Sequence, residues 1–169
     1  ARDCVAEGLG HARDAVDWVK LGSTVERAAR DVRLAFKEDS VRLSIGQLPD
    51  DHPLFDALVA LETELDALTA ALATQAERAE SIGACLRRAR ELQGVLAGWT
   101  TPPTELERQT VDAAQNGSAE GKGERADPNE KVRWIEVFAH TVQLHETPLS
   151  VAPIFAKQRA GVPRAWIFT

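Results

Sequence analysis

Three features of this 169-residue chain predict a mainly α-helical fold. The expected architecture is a helical bundle with long antiparallel heptad-patterned helices plus a small β-containing C-terminal segment. Leu54, Leu58, Leu61, Leu65, Leu68 and Leu72 recur at alternating spacings of four and three, the repeat of a helix seam. No proline interrupts the chain from Leu54 to Trp99. Beyond residue 131 the apolar period shortens to two, as in strands. Charged residues are 27% and the AVILMFWYC group 44%, an ordinary globular composition. No stretch without charge approaches the ~20 apolar residues that span a bilayer, including those around Leu68–Ala76 and Thr141–His145.

Taken in order, Val5, Leu9, Ala12, Val16 and Val19 form a helical stripe, expected to end near Lys20-Leu21-Gly22. Ser23 and Glu26 have capping-box spacing and predict a second helix, with Val25, Ala28, Ala29, Val32 and Phe36 inward. Val41 to Ile45 alternates like a short strand, and Pro53 sits in the first turn of the leucine-rich helix. The seam continues through Ala79, Ile82, Leu86 and Ala89, so Leu54–Trp99 is either one rod or two helices. Two antiparallel helices broken near Gln75–Gly83 are the expectation, because polar Gln75 interrupts the seam and a lone rod leaves its leucines wet. Thr100-Thr101-Pro102-Pro103 ends the helical region, and 100–130 reads as a flexible polar loop containing Asn116-Gly117-Ser118. Val132 and Trp134, then Thr141 to His145, mark two strands; Ser150–Arg159 reads as a short helix, and Trp166–Thr169 as a buried strand. The expected organisation is a helical region over 1–99, the loop over 100–130, and a strand-containing segment over 131–169. With no methionine anywhere and a helical stripe running from the first residues, the chain is expected to be an excerpt of a longer protein.

Net charge is −6, which opposes strong nonspecific nucleic-acid binding by the chain alone. The charge is uneven: residues 1–99 carry −5, 100–130 carry −4, and 131–169 carry +3. Two basic groups stand out, Arg27, Arg30 and Arg33 on the second helix and Arg87, Arg88 and Arg90 near the end of the helical region. Each reads either as a solvated face with i,i+4 pairing or as a set of phosphate contacts. Catalytic chemistry is sparse. The sequence holds no glycine-rich phosphate loop, no G-x-S-x-G and no H-E-x-x-H. His140 and His145 are five apart, which in an extended chain places them on opposite faces and defeats joint metal ligation. Cys4 and Cys85 form no metal-ligand cluster and read as small buried apolar groups in a reduced, cytoplasmic setting.

Three blocks near the C-terminus carry a resemblance. They are Val132-Arg133-Trp134-Ile135-Glu136, the run Gln143 to Phe155 containing His145-Glu146-Thr147-Pro148-Leu149, and Pro163-Arg164-Ala165-Trp166-Ile167-Phe168-Thr169. In order and spacing they resemble the DinG/YoaA branch of the XPD-like superfamily 2 DNA helicases, where the last block leads into an S-A-T-L motif. The resemblance implies that residues 1–130 are the helical insertion called the arch, and that 131–169 re-enter the first motor domain. It implies a parent enzyme that moves 5′ to 3′ on single-stranded DNA in repair or replication, using ATP, Mg and a 4Fe–4S cluster. This chain carries none of the Walker A, D-E-A-H or cluster-cysteine motifs, so it is expected to be inactive by itself, with no catalytic, cofactor or metal residues. Arg27, Arg30, Arg33, Arg87, Arg88 and Arg90 are then candidates to face the DNA strand. The competing expectation is a noncatalytic coiled-coil adaptor that dimerises through Leu54–Leu72.

Overall fold

The computed structural model describes residues 1–105, 107–108 and 131–148. The expected helix at Ser150–Arg159, the expected strand at Trp166–Thr169 and most of the polar loop lie outside them. The fold is mainly helical with one small antiparallel sheet. The helices are α1 (Arg2–His11), α2 (Trp18–Leu34), α3 (Pro53–Gln75) and α4 (Glu80–Thr100); the strands are β1 (Val41–Ser44), β2 (Lys131–Val137) and β3 (Val142–Pro148), in the order β1-β2-β3. The chain divides into two compact units that alternate along the sequence. One comprises Ala1–Ser40, Pro49–Pro102 and Val137–Val142, the other Val41–Leu48, Pro103–Glu136 and Gln143–Thr169. Successive segments were the expectation from sequence; instead β1 leaves the helical region to join the sheet unit.

In the helical unit α3 packs on both α2 and α4, and α1 closes against the same two helices. Pro53 stands at the start of α3, where its missing N–H costs nothing. Leu54, Leu58, Leu65, Leu68 and Leu72 are buried and Leu61 is half-buried, facing Ile82, Leu86, Ala89, Leu96 and Trp99 among the buried residues of α4. Each such leucine contributes about 1.5–3 kcal/mol of transfer free energy. The break between α3 and α4 falls at 76–79, inside the window that Gln75 and Gly83 mark out.

The first helix differs from expectation. It ends at His11, and α2 begins at Trp18, so Gly22 lies inside α2 rather than beyond a helix end. Two local forces decide this. Asp17 caps α2 by accepting from the Lys20 N–H at 2.9 Å, and the buried Trp18 indole donates at 2.7 Å to the Ala12 carbonyl, which also accepts from the Ala15 N–H at 3.1 Å. Ser23 and Glu26 form no capping box; Ser23 donates to the Lys20 carbonyl within the helix, and Glu26 pairs with Arg2 at 3.0 Å. Val19 of the expected stripe is exposed, as is Ala29, while Trp18, Val25, Ala28, Val32 and Phe36 are buried. Gly8 is where α1 meets Trp18: a Cβ there would overlap the indole.

In the sheet unit the inward face of β2 is not the one that carries Val132 and Trp134. Arg133 and Ile135 are buried, whereas Val132 and Trp134 are half-exposed. Arg133 tolerates burial because Glu107 meets it with both carboxylate oxygens, at 2.8 Å from Nε and 2.7 Å from Nη2. Glu107 also accepts from the Arg133 and Thr104 backbone N–H groups, and Glu105, Glu107 and Arg108 are helical where the sequence suggested loop. Gly46 lies directly against the Glu107 carbonyl, so any side chain there would displace this turn.

Two pH-dependent effects follow. His52 caps α3 by accepting from the Leu54 N–H through Nδ1 at 3.2 Å and packs on Phe36; burial lowers its pKa from the usual 6.5, with Asp51 opposing. A lowered histidine binds its proton less readily when folded, so stability is complete above about 6.5 and falls as pH drops below it. Thermal melts between pH 7.5 and 5 should show this loss, and His52→Asn, which keeps a cap, should flatten it. Burial tends to raise the Glu107 carboxyl, but the Arg133 side chain and the Thr104 and Arg133 N–H groups together hold it below the usual 4.5. Its contribution is complete above about 4.5 and is lost as pH falls through the lower folded value. Glu107→Gln should remove that acid-range dependence, and either Glu107→Ala or Arg133→Ala should cost about 3–5 kcal/mol in urea unfolding, because the survivor loses its buried charge-assisted bonds to the other.

Candidate nucleic-acid interface

Helical geometry determines what the six candidate arginines can do together. On α2, residues three apart are displaced by about 60° around the axis, so Arg27, Arg30 and Arg33 follow one another along one side. Arg27 and Arg30 are exposed, and neither makes a hydrogen bond or ion pair among the described residues. Arg33 is different. Its Nε donates to the Phe138 carbonyl at 2.6 Å and its Nη1 to the Phe36 carbonyl at 2.9 Å. It thus secures the tip of the β2–β3 hairpin, closed by the Phe138 N–H to Thr141 carbonyl bond, and the chain leaving α2.

On α4 the three arginines do not share a side. Arg88 and Arg90, two positions apart, point about 160° away from one another. Arg88 reaches Asp3 of α1 at 3.7 Å, an exposed pair worth at most about 1 kcal/mol. Arg87 and Arg90 are exposed and make no such pair among the described residues. The sequence therefore groups residues that the fold separates: Arg27, Arg30, Arg87 and Arg90 are available to a ligand, while Arg33 and Arg88 are engaged.

Arg27 also borders a groove of about 740 Å³ between α2 and α3, floored by Leu21, Ala67, Ala70 and Ala71 and edged by Lys20, Asp17 and Glu64. The edge carries both signs of charge, which does not match a uniformly anionic strand.

The sheet unit holds an arrangement that no single segment of sequence reveals. Strand order puts Trp134 of β2 between Arg42 of β1 and His145 of β3. The Arg42 guanidinium carbon lies 3.7 Å from the indole centroid, and the His145 ring stacks on the indole at 3.9 Å with a 7° interplanar angle. Two groups this close cannot share one face of the ring, so the indole is sandwiched. Its Nε1 donates to the Thr147 hydroxyl at 3.0 Å, and Glu136 lies 3.6 Å from His145 Nε2. Such cross-strand pairs stabilise a sheet by roughly 0.2–1 kcal/mol each. With both faces covered, Trp134 offers no platform for base stacking, the usual role of an exposed aromatic in single-strand binding.

No group of three or more histidine, cysteine, aspartate or glutamate side chains suited to a metal occurs among the described residues. His52 is a helix cap, His11 lies 3.6 Å from Glu7 on its own helix, and His145 is stacked. Cys4 and Cys85, expected to be small buried apolar groups, are both half-buried, one on each of the packed helices α1 and α4. No described helix is long and apolar enough to cross a membrane.

Arg33 and Arg30 make a direct comparison. Arg33→Ala should lower stability by about 1–3 kcal/mol, because two charge-assisted hydrogen bonds to backbone carbonyls are lost, whereas Arg30→Ala should stay within about 0.5 kcal/mol. Urea unfolding of the two variants checks both.

No protein-family model, curated protein or solved structure matches this chain.

Proposed function

We propose that the chain is the arch region and motor-domain return segment of an ATP-dependent 5′-to-3′ DNA helicase of the DinG/XPD-like type, acting in the cytoplasm on single-stranded DNA in repair or replication. The observation that carries this reading is the ordered set of three C-terminal blocks, from Val132-Arg133-Trp134 through His145-Glu146-Thr147-Pro148 to Ala165-Trp166-Ile167-Phe168-Thr169. The closed helical unit supports it. The leucines of α3 are covered within the chain by its own helices, which suits a firm arch element and leaves little of the Leu54–Leu72 seam free for an adaptor dimer.

On this reading the arch confines and guides the strand mechanically. Arg27 and Arg30 on α2, with Arg87 and Arg90 on α4, are the residues of this chain that touch phosphates. The ATP and Mg of such an enzyme would be held by motifs that this sequence lacks. The iron–sulfur cluster fares likewise: two cysteines cannot furnish its four thiolates.

The test uses the helicase that contains this chain. Paired reversals, Arg27→Glu with Arg30→Glu and Arg87→Glu with Arg90→Glu, are titrated against single-stranded DNA between roughly 50 and 200 mM salt, the range over which phosphate contacts dominate the affinity. Weaker binding with a salt slope reduced by about one for each lost contact is the expected result. Unchanged binding and unwinding in both variants would overturn the assignment of these contacts. A stable dimer of the present chain in sedimentation, broken by polar substitution at Leu61, would favour the adaptor instead.

A further inference from the structure

Cys4 lies in the first turns of α1, and Cys85 lies in the second turn of α4. The two helices pack together, and the Asp3–Arg88 pair bridges them beside the cysteines, one residue before Cys4 and one helical turn after Cys85. The Cys4 thiol is among the neighbours that act on the Cys85 thiol, and both are free and half-exposed to solvent. Isolated structural cysteines are usually inert and buried. Here two meet at a helix–helix contact where a small oxidant can reach them.

We propose that Cys4 and Cys85 form a reversible disulfide that ties α1 to α4, with a low-molecular-weight disulfide as the oxidant. The proposal stands apart from the helicase reading, since it needs only the contact between the two helices. In the first step the Cys4 thiolate attacks one sulfur of the oxidant. A mixed disulfide forms on Cys4, and one thiolate leaves and takes up the proton that Cys4 released. In the second step Cys85 loses its proton and attacks the Cys4 sulfur, forming the internal bond and expelling the second thiolate. Two protein thiols are oxidised, one small disulfide is reduced to two thiols, and no other electron carrier is required.

The surroundings assign the order of attack. Burial first, then the neighbouring Cys4 thiol and the charges of Glu7 and Asp3, push the Cys85 thiol up to about 11. Arg88 is held 3.7 Å from Asp3, so its charge is shared with that carboxylate. Cys85 is therefore disfavoured as the first attacker, and closure accelerates as pH rises.

The experiment treats the full chain with oxidised glutathione at pH 7 and pH 9, then counts free thiols and maps peptides under non-reducing conditions. Expected are loss of both thiols, a Cys4–Cys85 linked peptide, faster closure at the higher pH, and a raised thermal midpoint that dithiothreitol reverses. Cys85→Ser should stop at the glutathione adduct on Cys4, and Cys4→Ser should react more slowly than either. Glutathione adducts persisting on both cysteines, or disulfides only between chains, would overturn the proposal. A linked peptide that forms with a lowered thermal midpoint would also overturn it, because the bond would then strain the contact instead of fitting it.

Discussion

Covering the leucine row of α3 is the constraint on which the helical unit depends. An exposed run of leucines on a 23-residue helix would drive association, and here the chain supplies the cover itself, with α2 on one flank and α4 on the other. The position of α1 follows from theirs. It lies against the same two helices, and where it crosses α2 the side chains shrink to Gly8 and Gly22, with Trp18 against one and Val5 against the other. The polar group that intrudes on this core is satisfied locally: Thr69 donates to the Leu65 carbonyl one turn back, so no orphan hydroxyl weakens α3.

The sheet unit is organised around a different necessity. A guanidinium that is 6% exposed must be neutralised and hydrogen-bonded, since an unpaired buried charge costs several kcal/mol. Arg133 therefore dictates more than its own position. It draws in Glu107, 26 residues earlier; Glu107 requires the Thr104 turn to be formed, and that turn requires glycine at 46. The same requirement sends Trp134 to the other side of the strand, where Arg42 and His145 take the place of a hydrophobic core.

These two cases show where reading residues in order succeeds and where it stops. The separation of α3 from α4, proline at the head of α3 and the strand at Val41–Ser44 were legible, because each depends on local spacing or on one residue's backbone chemistry. The phase of β2 was not. A period of two gives the alternation, but which set faces inward depends on whether buried Arg133 has a partner, and Glu107 is remote in sequence. The start of α2 failed for a related reason. Ser23-x-x-Glu26 and Asp17 are both acceptable caps, and the choice rests on the tertiary burial of Trp18. Among the arginines, composition and helical spacing located the charges but could not tell Arg33, which serves two carbonyls, from Arg30, which serves none among the described residues. The contact between Cys4 and Cys85 carries no local signal at all, since it exists only once α1 has docked.

That docking is the least secured part of the helical unit. A ten-residue helix is marginal alone, because nucleation is costly and few propagating bonds offset it. Its ion pairs, Arg2–Glu26 and Asp3–Arg88, join side chains that are largely solvent-exposed and so contribute little. What remains is the fit of Gly8 on Trp18 and of Val5 on Gly22, together with the indole bond to Ala12. A helix attached this way belongs to the low-stability end of local opening, while α3, buried along most of its length, belongs to the high end. A covalent tie has its largest consequence at such a place. It limits the separation of α1 from α4 without altering the leucine core, so oxidation would stiffen the margin of the unit and leave its fold unchanged.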